Sequence, residues 1–211
     1  MVKRNVKKGI FIALLCIFLV TFPGSLLLYR KGILPCTRKH FLCYSSFLSE
    51  AWDGSVERYP EKLPPSTEKI KYIYYTGWLD KKSGISFTVS DEDYCRLKEF
   101  FETSYLAEIA AYKKVNQKDV KESLAEAGLL FLDNGDMFAF DKKLTSEFLE
   151  EEGLGYLEDI FHDPADQYTI LGYIGNVEGG ERCNLEGVFC NERTNEIVIF
   201  AFTDIFRKSR R

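Results

Sequence analysis

Hydrophobic and polar positions divide the chain into three kinds of text. The first is Gly9 to Tyr29, GIFIALLCIFLVTFPGSLLLY, 21 residues without a charge, closed by Lys7 and Lys8 before it and Arg30 and Lys31 after it. At about 1.5 Å per residue a helix of this length covers roughly 30 Å, the thickness of a bilayer's hydrocarbon core. The pattern predicts a single transmembrane signal-anchor helix over 9–29, kinked near Pro23, behind a short basic cytoplasmic tail at 1–8. A cleaved signal peptide needs small residues before its cleavage point, and Phe22 and Pro23 fit that need badly. A lipoprotein signal on Cys16 is disfavoured by Leu15 before it.

The second kind runs over 30–65 and is read as a juxtamembrane connector. Tyr44, Phe47, Leu48, Ala51 and Trp52 recur at helical spacing. They predict a short amphipathic helix, lying at the membrane interface or packed on the domain. GSVERYPEKLPPSTEK is Pro-rich and polar, which suits extended chain and a domain boundary.

The third kind, 66–211, alternates strand-like and helix-like runs. IKYIYYTGWL and ISFTV, with DKKSG between them, predict a β-hairpin turning at Asp80 to Gly84. Ser90 followed by Asp91, Glu92 and Asp93 reads as a helix start, the serine capping and the acids favoured by the dipole. Tyr94, Leu97, Phe100, Phe101, Tyr105, Leu106 and Ile109 continue that helix as an apolar stripe. A second helix is expected over 117–127. In LLFLDNGDMFAF, Asn134-Gly135 between apolar runs marks a type I′ hairpin; the calcium-loop spacing is not met there. Lys143 to Phe161 reads as two short helices split by Gly153 and Gly155, with Glu150 to Glu152 as a solvated helix end. Strands follow over 168–174, 183–190 and 196–202. IVIFAF is apolar almost throughout, as in a central strand covered on both faces. The expectation is therefore an α+β domain over 66–211, able to fold alone, with a mainly antiparallel sheet and helices on one face.

Charge sharpens this division. Residues 1–49 hold eight of the 28 Lys/Arg and no acid, which leaves 20 Lys/Arg against 32 Asp/Glu in the remainder. The basic part suits anionic headgroups. The acidic domain is a poor nucleic-acid binder, because phosphate contacts need clustered Lys and Arg.

Six cysteines occur. Cys16 lies in the apolar stretch. Cys36/Cys43 and Cys183/Cys190 share the spacing C-x6-C, and these four are the candidate disulfide residues. Seven residues of strand span about 23 Å, whereas a bridge needs Cα atoms within about 7 Å. Each pair therefore closes locally only if its segment bends back, or else the two pairs bridge one another. Cys95 is expected as a buried thiol on its helix. His40 completes C-x3-H-x2-C with Cys36 and Cys43, but no second tight pair supports zinc.

Chemistry is thinly marked. The two histidines are His40 and His162, and a Cys95/His162 pair has no local support. No catalytic residue, cofactor or metal is assigned. Tyr72 and Tyr74 share one strand face, for a partner or for burial. The first expectation is a membrane-anchored, non-enzymatic interaction domain, extracytoplasmic, with the lipid bilayer and a protein or peptide as partners and no nucleic acid. A membrane-tethered envelope hydrolase using acidic residues is the alternative. Two or three carboxylates in one deep cleft favour the hydrolase; a flat or grooved aromatic surface favours the binder.

Overall fold

Strand pairing in this chain reaches from one end of the acidic part to the other. The structure, a computed structural model, describes residues 36–38, 43–51, 59–77, 80–114, 129–131, 137–139, 142–178 and 181–204. The apolar stretch at 9–29, the expected helix at 117–127, the turn at Asn134-Gly135, the glycines at 179–180 and the basic tail RKSRR lie outside the described residues. Among the described residues, no helix is long and apolar enough to cross a membrane.

Among the described residues, nine strands form one antiparallel sheet: β1 (Cys36–Arg38), β2 (Glu68–Thr76), β3 (Asp80–Thr88), β4 (Leu129–Phe131), β5 (Met137–Ala139), β6 (Lys142–Lys143), β7 (Thr169–Glu178), β8 (Glu181–Asn191) and β9 (Glu196–Asp204). Their order is β1-β2-β3-β9-β8-β7-β5-β4, with β6 added alongside β7. The helices are α1 (Tyr44–Ala51), α2 (Asp91–Lys113) and α3 (Ser146–Glu151), with 3-10 turns at Gly155–Asp159 and Ala165–Gln167.

The sheet is covered on both faces, not on one. Leu97, Phe101, Tyr105 and Ile109 of α2 pack with Phe87, Val188, Ile197 and Ile199 in one cluster. Leu149, Leu154, Leu157, Ile160 and Phe161 pack with Ile73, Tyr168, Phe189, Val198 and Phe200 in the other. Strand β9 supplies the reason. Ile197, Ile199 and Ala201 belong to the first cluster, Val198 and Phe200 to the second, so both of its faces must be shielded from water.

Two local readings shift. The first hairpin reverses between Thr76 and Asp80, where the Gly77 N–H donates to the Asp80 carbonyl at 2.7 Å. DKKSG is therefore strand, and Gly84 is a contact glycine: a Cβ there would lie 2.9 Å from Leu157 and 3.0 Å from Ile160. Phe100 also leaves the apolar stripe. Adjacent helix residues point about 100° apart; Phe101 takes the inward direction at 1% exposure and Phe100 is left 59% exposed.

Part of the expected connector packs with the domain. Phe47 of α1 is fully buried, Tyr59 is buried beside it in the first cluster, and β1 pairs with β2. The Tyr44 hydroxyl donates to the Pro60 carbonyl at 2.6 Å, tying α1 to the chain that leaves it.

Candidate functional site

Glu196 opens β9 on the face of Val198 and Phe200 and is fully buried. A buried carboxylate is costly unless it is paired and hydrogen-bonded, and three elements converge on this one. His162, in the loop between the two 3-10 turns, places Nδ1 2.8 Å from Oε1. Ser86 of β3 donates its hydroxyl to the same oxygen and lies 3.3 Å from the imidazole Nδ1. Tyr168, between the second 3-10 turn and β7, donates to Oε2 at 2.6 Å. The Tyr168 oxygen in turn accepts the backbone N–H groups of His162 at 3.0 Å and Asp163 at 3.3 Å. Burial and the adjacent Glu196 carboxylate hold the Tyr168 phenol well above its ordinary range, so it stays a donor.

A second layer fixes the loop from outside. Asp163 accepts from Asn191 Nδ2 at 2.9 Å and from Arg193 at 2.6 Å. Lys71 Nζ donates to the Phe161 carbonyl at 2.6 Å. These contacts clamp 161–168 across β2, β3, β8 and β9.

Serine, histidine and glutamate together invite comparison with a hydrolase triad, and the geometry differs from one. In a triad the serine engages one imidazole nitrogen and the acid the other. Here Ser86 and Glu196 both face Nδ1, and Ser86 is fully buried. The arrangement hydrogen-bonds and anchors a carboxylate; it does not present a nucleophile.

The other acids and tyrosines settle similarly. Glu150 and Glu151 are exposed, as expected of a solvated helix end, but Glu152 is buried and accepts from the Tyr173 hydroxyl. Tyr72 and Tyr74 are both buried.

The candidate cysteines are not brought together within β8. Cys183 and Cys190 lie in that one continuous strand, whose seven-residue separation of about 23 Å far exceeds the reach of a disulfide. Cys190 is a buried free thiol, its pKa raised by burial. Cys36 lies in β1. Cys43, just before α1, is an exposed free thiol held below its ordinary pKa by the Ser45 hydroxyl at 3.1 Å. Cys95 is exposed on α2, contrary to the expected burial. The sheet separates Cys95 from His162, since α2 covers one face and the His162 loop the other. His40 lies outside the described residues.

Along the outer side of α2, Arg96, Glu99, Phe100, Thr103, Ser104 and Ala107 line a shallow hollow of about 490 Å³. Phe100 is a large apolar side chain in it with more than half its surface in water.

Sequence reading missed Glu196, Ser86 and Tyr168 as a unit. One signal was available: a lone acid opening the apolar run IVIFAF has to be satisfied, and the FHDPAD loop carries a histidine. What joins them is pairing across 110 residues between Ser86 and Glu196. No family model, no curated protein and no solved structure matches this chain.

Proposed function

We propose that this chain is a membrane-anchored, non-enzymatic interaction domain on the extracytoplasmic side, which meets a protein or peptide partner through the outer face of α2. The observation that carries the reading is Phe100, 59% exposed in the α2 hollow. Aromatic side chains and Arg are enriched at protein contacts and supply most of their anchors. The hydrolase reading has no comparable support: the buried carboxylates Glu152 and Glu196 are each engaged by a tyrosine hydroxyl rather than set in a cleft.

A photo-crosslinking amino acid placed at Phe100 in the 211-residue chain, in intact cells, is expected to give a discrete protein adduct. The same group at exposed Glu158, on the opposite face, is expected to give none. Equal adducts from both positions, or none from either, count against this surface. A membrane-impermeant thiol reagent added to intact cells tests the sidedness: Cys95 is exposed on α2 and should label without permeabilisation. Retention in the membrane pellet after an alkaline wash tests the anchor separately.

A further inference from the structure

Three aromatic rings surround one lysine at the end of the sheet where the N-terminal part of the chain enters it. Tyr75, Lys82 and Phe202 stand abreast on β2, β3 and β9, because Tyr75 pairs with Lys82 and Lys82 with Phe202. Tyr156, from the 3-10 turn Gly155–Asp159, completes the enclosure. Lys82 Nζ lies 5.7 Å from the Tyr75 ring centre, 5.5 Å from that of Tyr156 and 5.3 Å from that of Phe202. Asp80 Oδ2 is 3.5 Å from the same nitrogen. Several ring faces together with a carboxylate make a donor set that recognises an organic ammonium group.

Two further observations make this more than a packed lysine. The Lys82 and Asp80 side chains keep 24% and 28% of their surface in water, so a cation from outside can reach the enclosure. The Tyr156 hydroxyl is buried and has no hydrogen-bond partner among the described residues. Its ring is therefore not held in place by its own polar end, and its aromatic face is what it contributes. Position suggests where the cation comes from. Cys36, where β1 begins, pairs with Thr76, the neighbour of Tyr75. Cys36 is seven residues beyond Tyr29, at most about 25 Å of extended chain.

We propose that Tyr75, Tyr156, Phe202 and Asp80 form a binding site for an organic ammonium group, filled by Lys82 in the free protein and by the ammonium headgroup of a phospholipid when the domain lies against its membrane. The exchange conserves charge: one cation faces Asp80 before and after, and the released Lys82 meets the headgroup phosphate. The site stands on its own geometry; only the lipid source rests on the membrane-anchor reading.

Tetramethylammonium chloride is the probe, with the 211-residue chain in detergent micelles. The readout is the rate at which an amine-acylating reagent modifies Lys82, measured by mass spectrometry relative to exposed Lys143. Tetramethylammonium is expected to raise the Lys82 rate several-fold and saturably, while sodium chloride at equal ionic strength leaves it unchanged. In Lys82→Met, which keeps the apolar stem, tyrosine ring signals should shift at about tenfold lower tetramethylammonium than in the parent. An unchanged Lys82 rate overturns the site, and that arm needs no variant to fold. Vesicles decide the source. Faster Lys82 modification in phosphatidylcholine than in phosphatidylglycerol supports a lipid headgroup, and equal rates overturn the lipid source while the tetramethylammonium result stands. Failure of the anchor itself would show as release of the chain in the alkaline wash, with the micelle experiment unaffected.

Discussion

Glu196 is the side chain whose surroundings are most tightly specified. A buried carboxylate left without one of its hydrogen-bond partners costs about 1–3 kcal/mol; removing both groups costs less. His162→Ala is therefore expected to lower stability by about 1–3 kcal/mol in urea unfolding. The double variant His162→Ala/Glu196→Gln should recover part of that loss, since the amide carries no charge to strand. A double variant less stable than His162→Ala would show that the imidazole acts by packing alone. Tyr168→Phe removes a hydrogen bond to a charged acceptor and should cost about 1.5–3 kcal/mol.

At the scale of elements, α1 and α2 behave differently from what their spacing alone implies. Phe47 of α1 is fully buried and makes ring contacts with Tyr59 at 5.4 Å and Tyr72 at 5.1 Å. Phe47→Ala should cost about 3–5 kcal/mol. A chain beginning at Ser66 should unfold at lower urea than one beginning at Cys36; equal midpoints would show that α1 contributes nothing to the core. Local chemistry made some elements readable. Ser90 accepts from the Asp93 N–H and α2 starts at Asp91, because capping is decided within four residues. β9 was readable because a run apolar on both faces can sit only between layers. The hairpin turn was not, because Gly84 serves Leu157 and Ile160, more than 70 residues away in the chain. Phe100 and the Glu196 cluster were hidden for the same reason: a helix's inward face and a carboxylate's partners are chosen by elements far along the chain.

For the whole molecule, burial of phenols sets an alkaline limit. Burial is the main cause that raises Tyr59, Tyr156 and Tyr173 well above the ordinary tyrosine range. A group whose folded pKa exceeds its unfolded value gives stability that is complete below the unfolded pKa and is lost as pH rises towards the folded one. The unfolded pKa is about 10. The contribution of these phenols to stability should therefore hold steady below about pH 10 and fall above it by about 1.4 kcal/mol per pH unit for each. Tyrosine absorbance followed against pH should show these phenols ionising together with unfolding; independent, reversible ionisation in folded protein would contradict this. An alkaline wash thus weakens the domain itself, so retention in the pellet reports on the 9–29 stretch.

The place of β9 has a consequence for how the protein is made. It lies between β3 and β8, so among the described strands it is the one that joins the half-sheet β1-β2-β3 to the half-sheet containing β7 and β8. It is also the last of the described strands in chain order. Until Glu196–Asp204 has been synthesised, neither half has the neighbour that closes its core, and pairing as distant as Asp80 with Asp204 must wait. Nascent chains stalled before Glu196 should remain sensitive to protease, and chains stalled well beyond Asp204 should resist it. On the extracytoplasmic placement proposed above, this order would keep the emerging chain unfolded throughout its passage.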